Sequence, residues 1–113
     1  MRWLPIALLA LGAAAQAQTV ECPKQHAGAA LQSGAIRVGP AEDRTELAGG
    51  DETETKGGYE IRYRFPGHEP KWLMCAYGKD GGIQRFEKMA ERTTACTIKV
   101  RETRSVSVRM DCG

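Results

Sequence analysis

The sequence predicts a mainly β domain: a small antiparallel sheet or sandwich-like arrangement of hairpins, stapled by two disulfides, with little helix. Three observations carry this. First, apolar residues alternate with polar or charged ones over residues 59–65, 95–101 and 105–112, the period of a half-buried strand. Second, turn-forming clusters such as Pro66-Gly67-His68-Glu69-Pro70 and Gly78-Lys79-Asp80-Gly81-Gly82 punctuate these runs. Third, the 113-residue chain holds four cysteines, an even count, behind an export signal.

The N-terminus reads as that signal. Arg2 gives a short positive start, residues 4–11 an apolar core, and Ala13-Ala14-Ala15-Gln16-Ala17 the small residues of a cleavage site. The apolar run is shorter than the roughly 20 residues needed to span a bilayer. Residues 1–17 are therefore expected to be a removed signal peptide and residues 18–113 one disulfide-stabilised domain, with no stable membrane insertion after cleavage. Glu21 directly before Cys22 argues against lipid attachment, and the lone Arg2 against twin-arginine export. The expected location is the periplasm or the exterior.

Along the chain, Pro23 biases Cys22 to an extended conformation. Gly28 and Gly34 weaken any helix in residues 24–34, which read as irregular. Residues 35–38 alternate and form a short predicted strand ended by Gly39-Pro40. Residues 41–58 carry six acids and almost no large apolar group except Leu47; they are expected to form a mobile acidic loop with at most a turn of helix near residues 42–47. Residues 59–65 and 71–77 are predicted to pair as a hairpin with Tyr63 opposite Leu73, Ile61 opposite Cys75 and Tyr59 opposite Tyr77. Residues 83–87 form a third strand, and residues 88–94 a helical turn or a loop. A second hairpin joins 95–101 to 105–112, with Val100 opposite Val108, Ile98 opposite Met110 and Cys96 opposite Cys112.

That last register places two cysteines as cross-strand neighbours within disulfide reach. The expected pairing is Cys96–Cys112, which leaves Cys22–Cys75 to tie the N-terminus to the central strand. A metal site is not expected, because the four cysteines contain no C-x-x-C pair and His26 and His68 have no carboxylate pattern around them.

Composition excludes several functions. From Gln18 onward 15 basic residues face 14 acidic ones, which argues against nucleic acid or an anionic membrane surface as partner. The charge is uneven: residues 18–60 hold 8 acids and 4 bases, residues 61–113 hold 6 acids and 11 bases. No glycine loop matches a phosphate-binding pattern, no histidine stands in a known spacing to a nucleophile, and oxidised cysteines offer no thiolate. No catalytic residue and no cofactor is therefore assigned. The candidate binding residues lie on the outer side of the first predicted hairpin, where Trp72 and Met74 stand beside Arg62 and Arg64. Trp and Arg are enriched at interface hot spots, although Trp72 is equally suited to a second layer of core or to stacking on Arg64.

The series Cys22-Pro23, a short strand ending in Gly39-Pro40, an acidic segment with Leu47, the run Trp72-Leu73-Met74-Cys75-Ala76-Tyr77, the strand Cys96-Thr97-Ile98 and the terminal Cys112 resembles a family of small exported four-cysteine proteins of Gram-negative bacteria with no established activity. Tyr59 stands where that resemblance implies a tryptophan. The likeness covers nearly the whole chain after the signal and implies export, disulfides and β structure, with no catalytic residue to carry over. The function expected is an exported, non-enzymatic binding protein of the periplasm, of inhibitor or immunity type, whose partner is another envelope or secreted protein; its oligomeric state is left open. The alternatives are a cell-wall-directed hydrolase using Glu60, Glu69 or Asp80, and a structural envelope component.

Overall fold

The computed structural model describes residues 18–113, so the expected signal peptide and its cleavage after Ala17 lie outside the described residues. Ten strands follow one another with no helix between them: β1 (Gln18–Glu21), β2 (Gln25–His26), β3 (Ala29–Val38), β4 (Glu46–Leu47), β5 (Gly50–Thr55), β6 (Gly58–Arg64), β7 (Lys71–Tyr77), β8 (Ile83–Lys88), β9 (Ala95–Glu102) and β10 (Val106–Cys112). They form two antiparallel sheets. The first has the order β1-β10-β9-β6-β5; the second has β2-β3-β7-β8, with β4 paired to β3.

The β9–β10 hairpin has the register that alternation predicts: Val100 faces Val108, Ile98 faces Met110 and Cys96 faces Cys112. Local pattern and a short turn suffice to fix such a pair. The third predicted strand is also present, as β8 on β7. Residues 88–94 contain no helical turn.

The predicted hairpin of residues 59–65 with 71–77 does not form. β6 pairs with β5 and β9, whereas β7 pairs with β3 and β8. Residues 66–70 are a crossover between sheets. Each strand has one strongly apolar side, and placing the two in separate layers buries those sides against each other. Pro66 and Pro70 have no N–H to continue a ladder. The assignment of sides survives the change of partner: Tyr63, Leu73, Cys75 and Tyr77 point inward and are buried. Ile36, Leu73 and Tyr77 of the second sheet and Ile98, Val100, Val108 and Met110 of the first are the most buried members of the core, each at most 1% exposed.

Two segments read as irregular are ordered strands. Residues 24–34 contain the β2–β3 hairpin, whose two-residue turn places Ala27 at φ 52° and Gly28 at φ 78°, the primed geometry that matches strand twist. Gly34 lies where β3 crosses the other sheet; a Cβ there would stand 2.6 Å from Val108 Cγ1, so its missing side chain permits the close approach. The acidic segment supplies β4 and β5 rather than a mobile loop. All six residues of β5 are exposed, so the strand is held by its ladder to β6 and buries too little to be visible in composition.

Both expected disulfides are present. Cys22–Cys75 joins the two sheets with a Cα–Cα separation of 5.8 Å, and Cys96–Cys112 crosses β9–β10 at 4.1 Å. Tyr77 reinforces the first, its hydroxyl donating to the Pro23 carbonyl at 2.8 Å.

Lys71 is the only buried charged residue described, with 0% exposure. Its Nζ donates to the carbonyls of Gly67 (3.2 Å), Glu69 (3.0 Å) and Glu91 (2.8 Å) and lies 5.3 Å from the centre of the Phe65 ring. All three ammonium donors are used, so this lysine fastens the crossover to the loop after β8 and offers nothing to a ligand.

Candidate partner-binding surface

The structure separates the four candidate binding residues into two pairs. Arg62 and Arg64 are exposed on the outer side of β6, in the first sheet. Trp72 and Met74 lie on the outer side of β7, in the second. The shared face expected from a β6–β7 hairpin is thus corrected: stacking the inner sides together turns the outer sides away from each other.

The first outer face is a charged lattice. Arg62 is 3.9 Å from Glu60, and Arg109 3.3 Å from Asp111. Exposed pairs of this kind contribute about 0–1 kcal/mol. Asp111 also accepts from the Thr19 hydroxyl at 2.8 Å, and that bond first, then Arg109, holds its carboxyl below the usual range. Arg62, Arg64, Thr97 and Asp111 border an open cleft of about 370 Å³ beside the Cys96–Cys112 bridge.

The second outer face is aromatic and cationic. Register places Arg37 between Leu47 and Trp72, and Lys88 on the far side of Trp72. In the next row Met74 lies between Ala35 and Phe86. From the β3–β4 loop, the Arg44 guanidinium lies 4.1 Å from the Phe86 ring centre and 4.9 Å from that of Trp72. The indole Nε1 donates to the Gly39 carbonyl at 2.8 Å. Trp72 is therefore half-buried beneath its own loop, Met74 is buried at 6% exposure, and Leu47 is open at 57%. Among the described residues neither Arg37 nor Arg44 has a carboxylate within 4 Å, while Lys88 meets Glu91 at 3.7 Å. The buried Nε of Arg37 has no hydrogen-bond partner. The face thus presents positive charge over an apolar floor, which suits a carboxylate-bearing protein surface.

Sequence reasoning found Trp72 and Met74 but missed Arg37, Arg44, Phe86 and Lys88. Alternation in β8 puts Phe86 and Lys88 on one side, but nothing local says that this side continues Trp72. Arg44 sits in the polar segment, and only the folded loop brings it over the rings.

Two of the carboxylates considered for hydrolysis, Glu69 and Asp80, do not converge. Glu69 precedes β7 and Asp80 follows it, and a seven-residue strand spans roughly 23 Å, well beyond the about 5–10 Å of paired glycosidase carboxylates. Asp80 accepts the Gly82 N–H within its own turn, and Glu60 lies on the other sheet. His26 packs 5.4 Å from the Tyr77 ring, and His68 is exposed in the crossover. Among the described residues no cluster of three or more potential metal ligands occurs, and no helix is long and apolar enough to cross a membrane.

Burial, helped by the Glu102 and Glu52 carboxylates, raises the Tyr59 hydroxyl above its ordinary 10.0. Burial raises Tyr63 as well, against an opposing hydrogen bond from the Ile36 backbone. The folded state therefore holds these protons more tightly than the unfolded chain. Their contribution is complete below the unfolded value near 10.0 and is lost as pH rises through the folded values. Unfolding by urea is expected to become easier from about pH 10 upward in step with tyrosinate absorbance; a midpoint independent of pH in that range contradicts it.

Two sheets tied by disulfides, with an aromatic and cationic outer face, suit a small binding protein. Residues 24–113 match the family described as Type VI secretion system Tli immunity protein. With most of its length matched, the chain belongs to that family. The four cysteines of the sequence resemblance are the two disulfides of this fold. No curated protein and no solved structure matches the chain.

Proposed function

We propose that this chain is a non-enzymatic immunity protein of the periplasm, and that it neutralises a type VI secretion effector by binding it with the outer face of the second sheet. The observation that carries the surface is Arg44 lying over Trp72 and Phe86 with no carboxylate counter-ion of its own. Family membership supports the effector as partner, and the two disulfides support an oxidising compartment. In this reading residues 1–17 are removed on export and residues 18–113 act as one domain. Trp72 is kept as a binding residue, with Arg44, Arg37 and Leu47 added, while Met74, buried at 6% exposure, supports the floor beneath them. Arg62 and Arg64, on the opposite face, are not needed.

The test is survival of a sensitive strain under attack by type VI-secreting kin. Exporting the wild-type chain is expected to protect it. The double variant Trp72→Ala/Arg44→Ala, exported at equal level, is expected to lose protection, since truncating hot-spot residues costs about 2 kcal/mol or more each. Arg62→Ala/Arg64→Ala is expected to protect fully. Protection by the Trp72/Arg44 variant and none by the Arg62/Arg64 variant moves the interface to the first sheet. A wall-degrading activity abolished by a single Glu→Gln change overturns the non-enzymatic reading.

A further inference from the structure

The longest strands at the sheet edges are β5 and β8, with six residues each, and they differ in one respect. β8 balances its own charge, Arg85 meeting Glu87 at 3.3 Å and Lys88 meeting Glu91 at 3.7 Å. β5 carries Asp51, Glu52 and Glu54 with no Lys, Arg or Pro, and among the described residues none of these acids has a cation within 4 Å. Among the described residues its only ladder is to β6. On such an edge alternate residues turn both N–H and C=O away from the neighbouring strand, which is a template for an added strand. Two copies of β5 brought together would bring their acids together as well, so the strand repels its own kind while leaving its backbone open.

We propose that β5 docks an extended, lysine- or arginine-bearing segment of the partner effector, which joins the first sheet as a sixth strand. The shared ladder supplies affinity and the charges select the occupant. Register puts Glu52 and Glu54 on the side of Ile61 and Tyr59, and Asp51 on the side of Arg62. A segment with basic residues at every second position meets Glu52 and Glu54 together. That the segment belongs to an effector rests on the function proposed above; that the edge takes a cationic strand does not.

The experiment uses a short acetylated peptide of alternating lysine and valine as probe, and one of alternating glutamate and valine as control, on the disulfide-intact chain. The lysine peptide is expected to bind, to weaken with added salt, to protect backbone amides within residues 50–55 from hydrogen exchange, and to lose at least tenfold in affinity on Glu52→Lys/Glu54→Lys. Both positions are exposed, so the variant is expected to keep the wild-type far-UV spectrum and melting temperature. No binding, equal binding to the variant, equal binding of the glutamate peptide, protection located in β8, or self-association of the wild-type chain through β5 each overturns the proposal. Loss of protection against attack by the Glu52/Glu54 variant is expected in addition. If the lysine peptide binds as expected but no variant alters survival under attack, the edge stands and the immunity reading falls.

Discussion

Replacing the inter-sheet bridge with Cys22→Ala/Cys75→Ala is expected to lower the free energy of unfolding by about 4 kcal/mol. The bridge closes a loop across a sequence separation of 53 residues, and the loop-entropy estimate grows with that length. For a domain of this size the whole stability is roughly 5–10 kcal/mol, and the loss corresponds to a fall in melting temperature of roughly 15–30 °C. The local setting adds to the effect. Cys75 is 1% exposed in the middle of β7, and Cys22 is 5% exposed just after β1, so two alanines also leave unfilled core volume. The second bridge spans a separation of only 16 residues between strands already paired by a ladder, and Cys96→Ala/Cys112→Ala is expected to cost about 1 kcal/mol less. Urea denaturation of both double variants checks the order; a Cys22/Cys75 variant that loses under about 1 kcal/mol contradicts it.

Lys71→Met is expected to cost about 2–4 kcal/mol. The methionine fills most of the space, but the carbonyls of Gly67, Glu69 and Glu91 lose their donor. A fully buried acceptor without a partner costs about 1–3 kcal/mol, and these part-buried carbonyls each cost less. The sum is reduced because the substitution also removes a buried charge with its desolvation cost. Lys71→Arg is not expected to restore stability, since a planar guanidinium cannot place donors in the tripod that an ammonium provides. Beyond the denaturation midpoint, amide exchange should quicken in residues 66–70 and 89–92, the two segments the lysine joins. Unchanged exchange there, with a midpoint near wild type, contradicts the role assigned to it.

How legible these features were depends on how local their causes are. The β9–β10 register and both disulfides followed from alternation and a short turn, because every residue involved lies within one hairpin or is left over by it. The β6–β7 pairing failed because it is a choice between neighbours in sequence and partners in another layer, decided by inter-sheet packing. Lys71 was in fact legible: the same alternation that turns Leu73, Cys75 and Tyr77 inward turns Lys71 inward too. What no pattern displayed was the trio of carbonyls that receives it, two from the crossover and one from beyond β8. The candidate surface divides in the same way. Trp72 and Met74 stood out by residue type, while Arg44 and Phe86 join them only through a folded loop and a strand pair. β5 was hidden for the opposite reason, since a strand held by backbone alone leaves no apolar trace.

The bridges link the first cysteine to the second and the third to the fourth. A chain that enters an oxidising compartment N-terminus first meets Cys75 as the earliest possible mate for Cys22, before Cys96 and Cys112 have emerged. Once that bond is closed, the last two cysteines have only each other. Pairing in order of arrival gives this connectivity, and the reduced chain is expected to regain it with an oxidant alone; a need for a disulfide isomerase contradicts that.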